Sequence, residues 1–205
     1  MNPHFQMLSA TQGKLLQLTC VFVVMCCTLL VFIAVLVDFI QFQKRGSVKK
    51  EKKSIVETGT MILFFLLYYA FLRSRTGVLD IAYPWLRDAL ALFGTASVVI
   101  GCFVNIRGRF DLGKNWSNQI KIYDDHSLVS NGMYRIVRHP LYASLIWMFI
   151  GASLLYVNYL ALLATWVIFI PFMYYRAKQE EMLLEKEFEG YCGYRKKVGM
   201  FFPKF

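Results

Sequence analysis

Four apolar blocks separated by short charged segments set the pattern of the chain. Residues 15–40 form a 26-residue block, broken only by scattered Thr and Gln and by a late Asp38. Residues 58–72 form a block of 15, residues 89–106 one of 18, and residues 141–175 one of 35 with Tyr156-Val157-Asn158-Tyr159 at its middle. A helix needs about 20 apolar residues to cross a bilayer. The last block is therefore too long for one helix and suits a two-helix hairpin turning at Asn158. The pattern predicts an all-α, polytopic membrane protein of about five transmembrane helices, ending in a C-terminal hairpin. The 15-residue block either extends as helix into its polar flanks or is re-entrant. The first block is too long for a signal-peptide core and no small-residue cleavage site follows it, so it is expected to remain as a helix.

Composition supports the membrane reading. Of 205 residues, 57% are hydrophobic, and the mean hydropathy is +0.45. A soluble domain of this size cannot bury that much apolar surface. The net charge of +10 invites a nucleic-acid partner, but its distribution argues otherwise. With five spans, nineteen of the 23 Lys and Arg fall on one side, in residues 41–57, 107–140 and 176–205. The other side receives only Lys14, Arg73, Arg75 and Arg87. That asymmetry predicts the N-terminus outside and the C-terminus in the cytoplasm. The basic segments then face anionic headgroups and membrane lipids, with no nucleic acid implied. The run Lys49-Lys50-Glu51-Lys52-Lys53 reads as a solvated loop.

Cysteine and histidine narrow the chemistry. The five cysteines form no CxxC, and all but Cys192 lie in apolar runs, where they act as small buried hydrophobes. His4, His126 and His139 have no metal-ligand spacing, so no metal is expected. Neither a P-loop nor a GxGxxG fingerprint occurs. The chain divides into residues 1–106, three N-terminal spans, and residues 107–205, which carry the polar chemistry.

Two charged clusters lie at the two ends of the predicted hairpin. Arg138-His139-Pro140 stands at its entrance, with Pro140 suited to a first helical turn. Arg176, Glu180 and Glu181 lie just past its exit, where "YYRAKQEEMLLEKEFEGY" continues with helical periodicity. Arg176 and Glu180 share a face, while Glu181 is turned by about 100°. A hairpin returns the chain to the membrane face it left, so the clusters can meet. Singly, each has a plain explanation. Arg138 is a snorkelling anchor, Arg176 with Glu180 a surface ion pair, His139 an interface histidine, and the tyrosines an aromatic belt.

Together they form a pattern. "HSLVSNGMYRIVRHPLY" resembles the H-x-L-V-x-x-G-x-Y-x-x-x-R-H-P-x-Y signature of the isoprenylcysteine carboxyl methyltransferases. It meets that signature at His126, Leu128, Val129, Gly132, Tyr134, Arg138, His139, Pro140 and Tyr142. The family's R-x-x-x-E-E-x-x-L element is met by Arg176, Glu180, Glu181 and Leu184, with Phe188 following. The flanking "DLGKNWS" and "VGMFFPKF" are also similar. One departure follows the acidic pair. Phe188-Glu189-Gly190-Tyr191 is one residue shorter than the family's Phe-Gly-x-x-Tyr. The resemblance covers residues 107–205.

The resemblance implies a methyltransferase that takes S-adenosylmethionine (S-adenosyl-L-methionine) and a lipophilic or lipidated acceptor at the membrane interface. It places the cofactor against Gln119, His126, Ser127, Leu128, Val129, Tyr134, His139, Pro140, Leu141, Tyr142 and Glu180. It gives catalysis to Arg138 and Glu181, and the acceptor to Arg176. The residue types suit that chemistry. A glutamate pairs with the cofactor's ammonium, an arginine with a carboxylate, and His or Tyr with the adenosine. A carboxylate acceptor needs a cation to orient it and no general base; an amine, phenol or thiol needs Glu181 or His139 as proton acceptor. Two alternatives share parts of the pattern. One is a phospholipid or small-lipophile N- or S-methyltransferase on the same scaffold. The other is a sterol-type membrane reductase, whose RHPNYxGE differs from RHPLYAS here.

Overall fold

The computed structural model describes residues 3–42, 48–52, 55–115, 120–123 and 127–204. Its long helices are α1 (Pro3–Phe42), α2 (Ile55–Ser74), α3 (Pro84–Leu112), α4 (Pro140–Leu155) and α5 (Tyr159–Glu187). A short α6 (Tyr191–Lys197) follows. Thr11–Asp38, Pro84–Leu112 and Tyr159–Glu187 are long and apolar enough to cross a bilayer, while Gly59–Ser74 and Pro140–Leu155 are shorter apolar helices. The 15-residue apolar block thus extends into its flanks, α2 having 20 residues.

The outer helices bury one stripe and leave apolar surface outward, while α4 lies inside the bundle with only Trp147 exposed. In α1 the stripe is Cys20, Val24, Cys27 and Val31, packed against Ala91, Val98 and Cys102 of α3. Leu18, Phe22, Met25 and Leu29 stay exposed, as suits a helix solvated by lipid. The α3–α4 contact rests on small residues. Gly94, Gly101 and Gly108, seven apart, bring α3 close to α4. A Cβ at Gly94 would run into the Gly151 carbonyl, and one at Gly101 would lie 2.6 Å from Met148 Cγ. Gly94→Val is therefore expected to separate the helices at a cost of about 1–3 kcal/mol. It should lower the melting temperature in detergent, whereas Gly59→Ala, with nothing within 4 Å of the added Cβ, should not.

The hairpin turns at Tyr156–Asn158, with Val157 at φ 49°. Asn158 is 1% exposed and fully used. Its Oδ1 accepts from the Ala161 N–H at 2.9 Å, and its Nδ2 donates to the Phe71 and Thr76 carbonyls at 3.0 Å. One side chain thus caps α5 and staples the turn to the end of α2. Within α5, Thr165–Phe169 widens into a π-turn, and Pro171 stands two residues beyond it. A proline inside a helix has no N–H and crowds the carbonyl four residues back, which a π-turn relieves.

The loop expected at residues 49–53 is corrected at 49–52, which belong to strand β1 (Val48–Lys52), antiparallel to β2 (Ile120–Tyr123), while Lys53 lies outside the described residues. Ladder bonds use the backbone, so a lysine-rich segment can pair with a distant Ile-Lys-Ile-Tyr run that no local reading connects to it. The pairing also sorts the two ends of the bundle. Gly13, Arg87, the residue 75–79 loop and the α4–α5 turn gather at one end. Asp38, Arg109, the β1–β2 ribbon and both charged clusters lie at the other.

Candidate active site

Pro140 begins α4, and Arg138 and His139 precede it outside any regular element, His139 at φ −125° and ψ 66°. That segment is held by the C-terminal tail. The Arg138 N–H donates to the Gly199 carbonyl at 2.8 Å and the His139 N–H to Met200 at 3.1 Å, with Val137 and Gly199 forming a parallel bridge. The last turns of α5 then deliver Arg176, Glu180 and Glu181 to the same place.

Glu181 is the centre of the cluster. Its side chain is only 2% exposed, and its Oε1 receives Arg138 Nε at 2.8 Å, Arg138 Nη2 at 2.7 Å and His139 Nε2 at 3.3 Å. Glu180, 37% exposed, faces the opposite ring nitrogen, with Oε2 3.5 Å from His139 Nδ1, and accepts from the Tyr142 hydroxyl at 3.1 Å. The His139 and Tyr142 rings stack at 5.4 Å and 3°. Arg176 is near enough for its charge to act on Glu180 and the Tyr142 hydroxyl. Arg138 Nη1 donates to the carbonyls of Arg195, at 3.2 Å, and Val198. It therefore balances Glu181 and ties down the tail, which differs from an anchor snorkelling to water.

Burial by itself lowers the pKa of His139, but hydrogen bonds and charge from Glu180 and Glu181 outweigh it and hold the imidazole above its ordinary 6.5. The folded state thus favours the charged form. This stabilisation is complete below about pH 6.5 and is lost as pH rises through the raised folded value. Melting temperature is expected to fall with rising pH in that window, and the slope should flatten in His139→Gln. Burial also pushes the Tyr134 phenol well up and Tyr194 to about 12, so both stay neutral near pH 7.

Glu181 Oε2 and the Tyr191 hydroxyl are buried in the cluster with no hydrogen-bond partner among the described residues. Lys178 Nζ approaches Glu181 Oε2 only to 3.8 Å. Native buried polar atoms are nearly always satisfied by protein, water or a bound group, so these two oxygens have hydrogen-bonding capacity that the described residues do not fill. Tyr191 enters the sequence reading only as a tail departure; its burial to 1% exposure brings it within reach of the Glu181 and Arg138 charges.

The structure brings Arg138, His139, Tyr142, Arg176, Glu180 and Glu181 together. Tyr134 lies beneath them, its carbonyl accepting from the Tyr194 hydroxyl. Pro140 is buried, and the Leu141 carbonyl accepts from Asn105 Nδ2 at 3.5 Å and Ser144 Oγ at 2.8 Å. Ser127 is bound by Asn115 instead, with Leu128 and Val129 half-buried beside it. Gln119 and His126 lie outside the described residues. A further pair escapes the sequence reading. Asp38 of α1 meets Arg109 of α3, whose Nε donates to the fully buried Asn105 at 2.9 Å. A carboxylate late in an apolar block is the signal, because such a charge demands a partner.

Residues 92–186 match the family model "Isoprenylcysteine carboxyl methyltransferase (ICMT) family". The protein-S-isoprenylcysteine O-methyltransferase of Saccharomyces cerevisiae is 33% identical over 115 residues, covering 51% of this chain and 48% of that one. That of Tribolium castaneum is 28% identical over 156 residues, covering 73% and 51%. The chain thus spans about half the length of the relatives it matches. Its fold is similar to the solved eukaryotic intramembrane Ras methyltransferase ICMT, with a TM-score of 0.53 at 24% identity over 74% of this chain and 53% of the other. Residues 92–186 of this chain are thus similar to the isoprenylcysteine carboxyl methyltransferase family in sequence, and the chain is similar to that solved structure in fold.

Proposed function

We propose that the chain is an S-adenosylmethionine-dependent methyltransferase acting at the cytoplasmic membrane interface, and that it methylates the carboxylate of a lipophilic, isoprenylcysteine-like acceptor. The observation that carries this reading is the Arg138–Glu181–His139–Glu180 chain, buried at its first three members and half-exposed at Glu180, with the Glu181 Oε2 and Tyr191 hydroxyl oxygens unsatisfied beside it. The residues fit the cofactor. The half-exposed Glu180 and the open Glu181 Oε2 can accept from an ammonium, and the stacked His139 and Tyr142 offer a flat face to adenosine. With them, Gln119, His126, Ser127–Val129, Tyr134, Pro140 and Leu141 form the cofactor segments.

When bound, the cofactor supplies an electrophilic methyl on a sulfonium. The protein's work is then placement, for which well-oriented groups give up to ~7–11 kcal/mol in the best intramolecular cases. Arg138 neutralises Glu181 and keeps its carboxylate fixed. Because Arg138 is already committed, Arg176 is the cation that orients an acceptor carboxylate. No base is required for an acceptor that is already an anion. The apolar outer faces of the helices give a lipidated acceptor access from the bilayer.

The test is labelled-methyl transfer by the purified chain to a prenylcysteine analogue and to extracted lipids. Transfer to the analogue is expected. Transfer to lipids alone would move the reading to a phospholipid methyltransferase. Tight NADPH binding without binding of the adenosyl cofactor would move it to a reductase.

A further inference from the structure

Asp111-Leu112-Gly113-Lys114-Asn115 closes α3 beside the charged cluster without belonging to it. The side chains of Asp111 and Asn115 reach onto the irregular segment that leads to Tyr134 and His139. Asn115, 8% exposed, accepts the Ser127 N–H on Oδ1 at 3.0 Å and donates from Nδ2 to Ser127 Oγ at 3.3 Å. Asp111 accepts the Met133 N–H on Oδ2 at 2.8 Å, while Arg107 lies 3.5 Å from its Oδ1. Before Met133 the chain passes through Gly132 at φ 56°, where a Cβ would run into the Asp111 carboxylate.

These bonds act on a segment that cannot order itself. Residues 127–130 have no regular structure, and a 3₁₀ turn, Gly132–Arg135, follows. The end of α3 is rigid by comparison, because Arg109 joins it to Asp38 of α1 and Asn105 joins it to Ser144 of α4 at 2.8 Å. The two side chains thus hold the loop against this frame at both ends of residues 127–133. A site whose competent conformation is only partly populated binds more weakly in proportion.

We propose that Asp111 and Asn115 are positioning residues that clamp residues 127–133 in the conformation that receives the adenosyl cofactor. This rests on the reading that the segment holds that cofactor. The role predicts an effect on cofactor affinity while chemistry and the acceptor are spared. In the full-length chain in detergent, Asn115→Ala and Asp111→Ala are expected to raise the Kd for S-adenosylhomocysteine by ~10-fold or more. At saturating cofactor, kcat and the acceptor KM should stay within ~2-fold of wild type. Asp111→Asn should stay within ~3-fold in Kd, since the amide oxygen accepts the same N–H. Arg107→Ala, which removes only the ion pair, should resemble wild type.

Hydrogen exchange at the Ser127 and Met133 amides gives a readout independent of the ligand. Protection is expected in the wild type and should be lost at Ser127 in Asn115→Ala and at Met133 in Asp111→Ala. Deprotected amides with unchanged affinity would overturn the clamp alone, as would rapid exchange at both in the wild type. A wild-type chain that bound no adenosyl compound would overturn the proposed reaction, with the amide protection still deciding whether the clamp exists.

Discussion

Glu181→Gln is expected to lose methyl transfer by ~10²-fold or more, the rate equivalent of about 2–5 kcal/mol. The side chain is 2% exposed and accepts two nitrogens of one guanidinium. Glutamine keeps the shape but removes the charge, which leaves Arg138 buried beside a neutral amide and His139 with one anion in place of two. Breaking a buried pair by removing one partner costs more than the pair contributes, because the remaining charge stays desolvated. Arg138→Ala should be similarly inactive. It should also lower stability, since the same guanidinium bonds the Arg195 and Val198 carbonyls. The check is single-turnover transfer with a parallel melt in detergent, with Lys52→Ala as a control expected to change neither. Full activity in Arg138→Ala would return the residue to an interface anchor.

Deleting residues 198–205 is the second large expected effect, a loss of cofactor affinity exceeding ~10²-fold. Their only charged side chain is Lys204, whose Nζ donates to the Lys196 carbonyl at 3.0 Å. Their carbonyls nevertheless receive the Arg138 N–H, the His139 N–H and Arg138 Nη1. Phe201 sits 6.2 Å from the His139 ring, edge-on at 68°. Removing the tail strands three donors in a buried setting, each costing about 1–3 kcal/mol, and frees the segment that presents His139. Helix content by circular dichroism should change little, because α1 to α5 pack chiefly against one another and the tail adds only Phe201 and Phe202 to that core. Gly199→Ala offers a milder version, as its Cβ would run into the Phe202 carbonyl. Wild-type calorimetric affinity in the truncated chain would show that the tail is dispensable.

These expectations divide along the line between local and distant information. The helices were legible because apolar run length and helical period are local properties. Residues 58–72 needed only continued helix into their flanks, and Asn158 declared a turn because a polar, cap-forming residue in a 35-residue apolar block has few other uses. The two charged clusters could be paired from sequence because a hairpin must return to the face it left. The seven-residue glycine spacing of α3 was also present in the sequence, but its meaning depends on which helix packs against it.

The remaining features were decided by the tertiary structure. Asp38 and Arg109 are 71 residues apart, and the strand at Val48–Lys52 finds its partner at Ile120–Tyr123. No periodicity in either segment encodes the other. The fate of Arg138 is the clearest case. Sequence left it between water and a ligand, since both lie within reach of a long side chain at a membrane surface. The fold places Glu181 and two tail carbonyls around it, 43 to 60 residues away, and so commits its donors inside the protein. Residue types and spacing determined which chemistry was available; which polar atoms found partners, and which did not, was decided only when distant segments packed into a shared low-dielectric site, where an unpaired polar group is costly.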